Sequence, residues 1–232
     1  MNQFAPTFTF KRFAVDDHRC AMKVGTDGVL LGAWADVRVG YPASVADVGA
    51  GSGLIALMIA QRNHDAHITA VELDAGAFAD LLLNISQSDF SSQITPVEGD
   101  FIMLKESFDV IVSNPPFFAP GVSAPDASRC LAREAGSLSP LSLIDFASTH
   151  LNPEGHLNMI APSDFDSEIE FQAALHHLYV CRRTAVSTSA RRGVTRTLWD
   201  LTNIPCPTAS PELLVVGSDE YRHLTADFYL NH

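Results

Sequence analysis

The chain has 232 residues, 47% of them apolar, and a formal net charge of −12. That length suits one large domain, or one domain with an extension, and leaves ample material for a buried core. No apolar run reaches membrane-spanning length, and the start MNQFAPTFTFKR lacks the basic head and apolar centre of a secretory signal. The expectation is therefore a cytoplasmic protein with no membrane partner. Cys20, Cys130, Cys181 and Cys206 are far apart, and the nine histidines show no ligand-like spacing. No metal site and no disulfide are expected.

In chain order, FTFKRFAV (8–15) alternates in part and predicts a short strand or hairpin. KVGTDGVLLGAWA (23–35) predicts a helix from about residue 27, with Thr26 or Asp27 as N-cap. A strand–helix rhythm then sets in. Strand 44–48 leads to helix 52–62, strand 67–73 to helix 75–85, and strand 94–98 to a short turn or helix around 100–106. Strand 108–113 is followed by a long loop and helix 141–151. Strand 156–161 leads to helix 163–177, where Ser163 and Asp166 are spaced as a capping box. Strands near 179–187 and 195–202 are joined by too few residues for a parallel crossover, so they pair antiparallel. A further strand (213–217) and a last helix (218–229) follow. This alternation predicts a doubly wound α/β sheet covered on both faces, with ligands outside the carboxyl ends of its strands.

That rule selects residues. DVGAGSG (47–53) ends the first strand of the rhythm and opens a helix; Gly49, Gly51 and Gly53 allow a tight turn and close backbone approach. Such a turn also fits dinucleotide binders or an ordinary strand-to-helix connection. Glu72 ends the next strand, where a carboxylate can accept from both hydroxyls of a ribose, or simply be solvated. Asp100 follows the third strand and can accept from an adenine amino group, or cap a helix. Asp47, Glu72 and Asp100 put three acids at three successive strand ends, a joint pattern that chance rarely produces.

The fourth strand ends in SNPPFFAP (113–120). Two residues without N–H groups make a rigid corner and cannot continue a ladder. A strand terminator with two core phenylalanines is the plain explanation. DVGAGSG…VELD…GD…NPPF, however, resembles the motif series of class I S-adenosylmethionine-dependent methyltransferases. That resemblance implies a seven-stranded, mostly parallel sheet with an antiparallel last strand, residues 41–232 as the methyltransferase domain, and S-adenosyl-L-methionine as cofactor. It implies Asp47, Gly49, Gly51 and Gly53 on the methionine side, Glu72 at the ribose, Asp100 at the adenine, and Leu73 and Asn114 beside them.

Within that family, Asn-Pro-Pro-aromatic marks methylation of a planar exocyclic nitrogen: adenine N6, cytosine N4 or glutamine N5. Such a nitrogen is a poor nucleophile because its lone pair is delocalised. Two acceptors, the Asn114 side-chain carbonyl and the Pro115 backbone carbonyl, can take its two hydrogens and make it more pyramidal. Pro116 completes the corner, and Phe117 offers a face for a flipped base to stack on.

The flanks narrow the choice. FTFKRFAVDDHRCAMKVGTDGVLLGAWA (8–35) resembles the start of the tRNA1(Val) adenine-37 N6-methyltransferase family, and EYRHLTADFYL (220–230) resembles its end. Phe117 and Phe118 stand where that family more often has tyrosines. The resemblance implies methylation of N6 of the adenine 3′ to the anticodon of tRNA1(Val). It implies an extension, residues 1–40, over the cofactor mouth, with Lys23 and Thr26 at the cofactor. A protein glutamine N5-methyltransferase would use the same corner, but usually carries a helical domain before the first strand, and only about 40 residues precede it here. A non-catalytic cofactor-binding subunit is the other alternative, and the intact Asn114 corner argues against it.

The net charge opposes a nucleic-acid partner. Yet residues 171–199 carry Arg182, Arg183, Arg191, Arg192 and Arg196 and no acid. Arg191 and Arg192, in the turn between the last two strands, are the expected phosphate contacts. The long loop 118–137 is expected to act as a lid, with Arg129 and Arg133 as further candidates. Lys11, Arg12 and Lys23 are placed near the cofactor mouth.

Overall fold

The computed structural model describes residues 6–116, 138–189, 193–207, 210 and 212–230. A two-stranded hairpin, β1 (Phe8–Thr9) and β2 (Ala14–Val15), comes first. Helix α1 (Thr26–Trp34) follows, then β3 (Ala43–Val48), α2 (Leu54–Arg62), β4 (Ala66–Glu72), α3 (Ala75–Ser86) and β5 (Ile94–Glu98). After a 3-10 turn at Phe101–Met103 come β6 (Phe108–Ser113), α4 (Pro140–His150) and β7 (Leu151–Pro162). A second 3-10 turn, Ser163–Phe165, leads to α5 (Asp166–Leu175), β8 (Tyr179–Ser187), β9 (Val194–Thr202), β10 (Glu212–Val215) and α6 (Asp219–Thr225).

Eight strands form one sheet in the order β10-β8-β9-β7-β6-β3-β4-β5. The expected seven-stranded sheet thus carries one strand more. β9 runs antiparallel to both β7 and β8, whereas β10, the last strand in the chain, pairs parallel with β8. The antiparallel β9 returns the chain to the sheet's other end, so β10 re-enters in the parallel sense. As an edge strand it buries Leu214 and leaves Leu213 exposed.

Central strands β3 and β6 are apolar almost throughout, because helices cover both of their faces. One core layer holds Phe10, Phe13, Val29, Leu30, Leu31 and the buried side of α2. The other holds Leu143, Ile144, Leu157, Met159 and Trp199, from α4, β7 and β9. Residues from the first 40 therefore share a core with α2.

Two capping expectations fail. The N-cap of α1 is Gly25, with no side-chain cap; Thr26 and Asp27 lie in the first turn, and the Asp27 carboxylate receives Arg196 Nε at 2.9 Å. Ser163 and Asp166 form no capping box. Ser163 Oγ donates to the Val194 carbonyl (3.2 Å), and Asp166 Oδ2 accepts from Thr197 Oγ (3.1 Å), so strand β9 outcompetes the helix end for both. The capping box lies instead at α4, between Ser139 and Ser142.

The chain leaves β3 toward β4 on one side and reaches β6 on the other. The carboxyl ends of β3 and β6 therefore lie side by side at the point where strand order reverses. No helix among the described residues is long and apolar enough to cross a membrane.

Candidate active site

The turn after β3 is built on left-handed backbone: φ is +69° at Gly49, +56° at Gly51 and +81° at Gly53. L side chains rarely adopt such angles. A Cβ on Gly53 would also stand 2.5 Å from Leu81 Cδ1, while beside Gly51 the space is open. The open side of Gly51 is where a ligand can approach the backbone.

Glu72 holds this turn in place. Its Oε2 accepts from Gly51 N at 2.7 Å and its Oε1 from Asp74 N at 2.8 Å. A carboxylate has about four acceptor positions, so two remain for hydroxyls of a bound sugar. Asp47 lies beneath the turn, only 1% exposed. Its Oδ2 accepts from Ala56 N at 2.9 Å, and its Oδ1 has no partner among the described residues. Burial pushes this carboxyl up to about 7, with the Glu72 charge adding and the Ala56 N–H opposing.

Across the switch point, Ser113 Oγ donates to the Val48 carbonyl at 2.7 Å, tying the end of β6 to the end of β3. Asn114 follows. Its Oδ1 is shielded from solvent and has no hydrogen-bond partner among the described residues, while its Nδ2 points toward Met22 Sδ at 4.0 Å. Pro115 is buried and Pro116 exposed. Gly28 of α1 lets that helix approach closely: a Cβ there would meet Leu54 Cδ2 at 3.0 Å and Asn114 Nδ2 at 3.9 Å.

Other expected residues are placed less decisively. Asp100 caps the following 3-10 turn, its Oδ1 accepting from Ile102 N at 3.2 Å. Leu73 is exposed beside Glu72. Lys23 Nζ closes its own loop by donating to the carbonyls of Asp17 (2.7 Å) and His18 (3.1 Å), and Thr26 is exposed at the start of α1. Lys11 Nζ reaches the Ala226 carbonyl at 2.6 Å, and Arg12 lies over the Phe90 ring. Phe117, Arg129, Arg133, Arg191 and Arg192 lie outside the described residues.

The other arginines of the acid-free stretch are engaged within the fold. Arg182 stacks 3.8 Å from the Trp34 ring centre, Arg183 pairs with Glu170, and Arg196 pairs with Asp27. Glu170 lies immediately before the stretch, whereas Glu212, which pairs with Arg182, and Asp27 lie far from it in the chain.

Sequence reasoning also missed how the segment before α1 is fastened. Asp80, fully buried, accepts from Arg19 N and Arg19 Nη1, both at 2.6 Å. Asn84 donates to the carbonyls of Asp16 and Ser52, each at 2.8 Å, joining this segment to the glycine turn. Two polar residues four apart on the otherwise apolar face of α3 were the available signal.

Asp17, Asp47, Glu72 and Asp80 cluster around the turn. The Cys20 thiol registers the cluster: burial and then Asp80, Asp17 and Glu72 push it up to about 12. Acids around an open glycine turn, with free acceptor positions on Glu72, suit a ligand that carries positive charge and a ribose. A sulfonium nucleoside meets both requirements.

A parallel sheet with a glycine turn at its switch point, clamped by an acid at the next strand end, defines a doubly wound protein of methyltransferase type. Residues 36–186 match the family model described as methyltransferase small domain. A tRNA1(Val) (adenine(37)-N6)-methyltransferase from Bacteroides thetaiotaomicron is 39% identical over 97% of this chain and 98% of that protein. One of the same name from Aeromonas hydrophila is 40% identical over 96% and 97%. This chain belongs to the tRNA1(Val) (adenine(37)-N6)-methyltransferase family. Among solved structures, a predicted O-methyltransferase from Agrobacterium tumefaciens shares the fold, with a TM-score of 0.65 and 20% identity over 89% of this chain and 100% of that one.

Proposed function

We propose that this chain transfers a methyl group from S-adenosyl-L-methionine to N6 of adenine 37 in the anticodon loop of tRNA1(Val), in the cytoplasm. The observation that carries the reading is Asn114 Oδ1: an acceptor shielded from solvent, without a partner among the described residues, at the carboxyl end of β6 beside the glycine turn. A buried acceptor left unpaired is costly, and an amino hydrogen of the target base relieves that cost.

When bound, the cofactor supplies a methyl group made electrophilic by a sulfonium. Glu72, already held by two backbone N–H groups, would orient the ribose; Asp47 and the turn 49–53 would receive the methionine end; Leu73 and Asp100 would flank the adenine. Asn114 Oδ1 and the Pro115 carbonyl accept the two hydrogens of the target amino group, so its lone pair localises and turns toward the methyl. Transfer would leave the neutral thioether S-adenosylhomocysteine, and the methylated nitrogen would lose one proton to solvent. Pro115 and Pro116 stop the corner from relaxing, and Phe117 stacks on the flipped base. Arg191 and Arg192, with Arg129 and Arg133, contact RNA phosphates, and residues 1–40 close over the cofactor.

Tritiated methyl transfer into separated tRNA, protein and DNA pools, followed by nucleoside analysis, tests this. Label in N6-methyladenosine of tRNA1(Val) is the expected result. Asn114→Ala should lower single-turnover transfer on the order of 100-fold or more while calorimetry shows S-adenosylhomocysteine binding nearly intact. Label in the protein pool, or unchanged transfer by the variant, refutes the proposal.

A further inference from the structure

The widely spaced thiols and histidines do not stay apart once the sheet forms. In the β7–β9 pairing, His156 stands opposite Thr202 and Asn158 opposite Asp200. His156 and Asp200 are therefore diagonal neighbours on one face, and His156 Nδ1 lies 2.7 Å from Asp200 Oδ1. In the β8–β9 pairing, Val180 stands opposite Leu201 and Arg182 opposite Asp200, so Cys181 is the extra residue of a β-bulge. Bulges re-aim side chains. Here a ring nitrogen of His156, Cys181 Sγ and an Asp200 carboxylate oxygen come within 4.8 Å of one another. Cys206, just beyond β9, is a near neighbour of Cys181 and has its thiol 3.5 Å from the Val180 carbonyl, so it is the nearby thiol that can complete the set.

We propose that His156, Cys181, Asp200 and Cys206 form a site for one zinc ion, which clamps β7, β8 and the segment after β9. An imidazole, a carboxylate and two thiolates favour zinc over magnesium or calcium, which prefer oxygen alone. Tetrahedral zinc with bonds of about 2.0–2.3 Å separates its ligand atoms by about 3.3–3.8 Å. The ligand atoms of His156, Cys181 and Asp200 already lie within 4.8 Å of one another, and the 2.7 Å His156–Asp200 contact must open by less than about 1 Å. Asp200 is 4% exposed and His156 is largely buried, so the ligands are pre-positioned rather than loose. Thr202 Oγ, buried on the same face, has no partner among the described residues, so an acceptor near the site is unfilled. Binding involves no redox change. Each thiol and the His156 Nδ1 release their protons to solvent, and metal–ligand bonds replace the His156–Asp200 hydrogen bond. The site lies toward the amino ends of the parallel strands, away from the glycine turn, so its role is structural and independent of the methyl-transfer reading.

The test uses the full chain, stripped with a chelator under reducing conditions and titrated with zinc against a chromophoric competitor. One zinc per chain with a dissociation constant below about 0.1 μM is expected. Cys181→Ser and His156→Gln should each weaken binding by about 100-fold or more, while Cys20→Ser, remote from the cluster, leaves it unchanged. Cobalt(II) on the wild-type chain should show the intense visible bands of a tetrahedral site with a thiolate-to-cobalt transition, a readout that needs no variant. Failure to bind zinc, equal affinity in wild type and Cys181→Ser, or a weak octahedral cobalt spectrum overturns the proposal.

Discussion

Asp47→Asn removes an ionisation while keeping size, shape and the oxygen that accepts from Ala56 N at 2.9 Å. Burial raises the Asp47 carboxyl from an ordinary 3.8 to about 7 in the folded chain. In the unfolded chain it titrates near its ordinary value. Between those two values the folded state holds more protons than the unfolded one, so stability falls as pH rises. Each pH unit in that window costs about 1.4 kcal/mol. From pH 5 to the folded midpoint the loss is about 3 kcal/mol, and above it the loss levels off. Asparagine has no such term. The stability of Asp47→Asn relative to wild type should therefore rise by about 3 kcal/mol between pH 5 and pH 8, or about 6–12 °C in Tm for a chain of this length. Urea unfolding of both proteins at several pH values measures it. Taking the difference cancels the titrating groups remote from Asp47, including His156, which a hydrogen bond to Asp200 holds above its ordinary value. A difference that stays constant across the range would refute the argument that Asp47 is buried protonated near neutrality.

Glu72→Ala removes the acceptor of Gly51 N and Asp74 N as well as the proposed ribose contacts. S-adenosylhomocysteine affinity should fall by about 100-fold or more, the loss of roughly two hydrogen bonds to a charged group; an unaltered dissociation constant rejects the assignment. Arg191 and Arg192 together should set part of the salt dependence of tRNA binding. Replacing both by alanine should flatten the plot of log affinity against log salt by about 1 to 2 units of slope, with cofactor affinity unchanged, and coincident slopes would place the RNA elsewhere.

Much of the fold was legible because its signals are local. FDVIVS and ITPVE are short apolar or β-branched runs bounded by turn residues, and both strands appear with the expected bounds. The alternation of such runs with amphipathic helices fixes a parallel sheet, since each connection is long enough to cross over. Cap assignments failed where a distant partner bid for the same side chain, as Arg196 does for Asp27 and Thr197 for Asp166. Strand β10 was expected, but its parallel place beside β8 depends on where β9 leaves the chain, which no local pattern encodes.

For the site, the sequence alone determined the residue types: glycines in a strand-to-helix turn, acids at strand ends, and a donor-free corner after an apolar strand. These are backbone requirements expressed in neighbouring residues, so they survive without coordinates. Only the tertiary structure decided how they are held. The Glu72 clamp on Gly51, the Asp80 and Asn84 anchors of the segment before α1, and the neutralised arginines 182, 183 and 196 all join residues distant in the chain. So does the meeting of His156, Cys181 and Asp200, which depends on sheet register and on one bulge. Register is set by the packing of whole faces rather than by any short stretch, and for that reason those contacts became visible only in the folded chain.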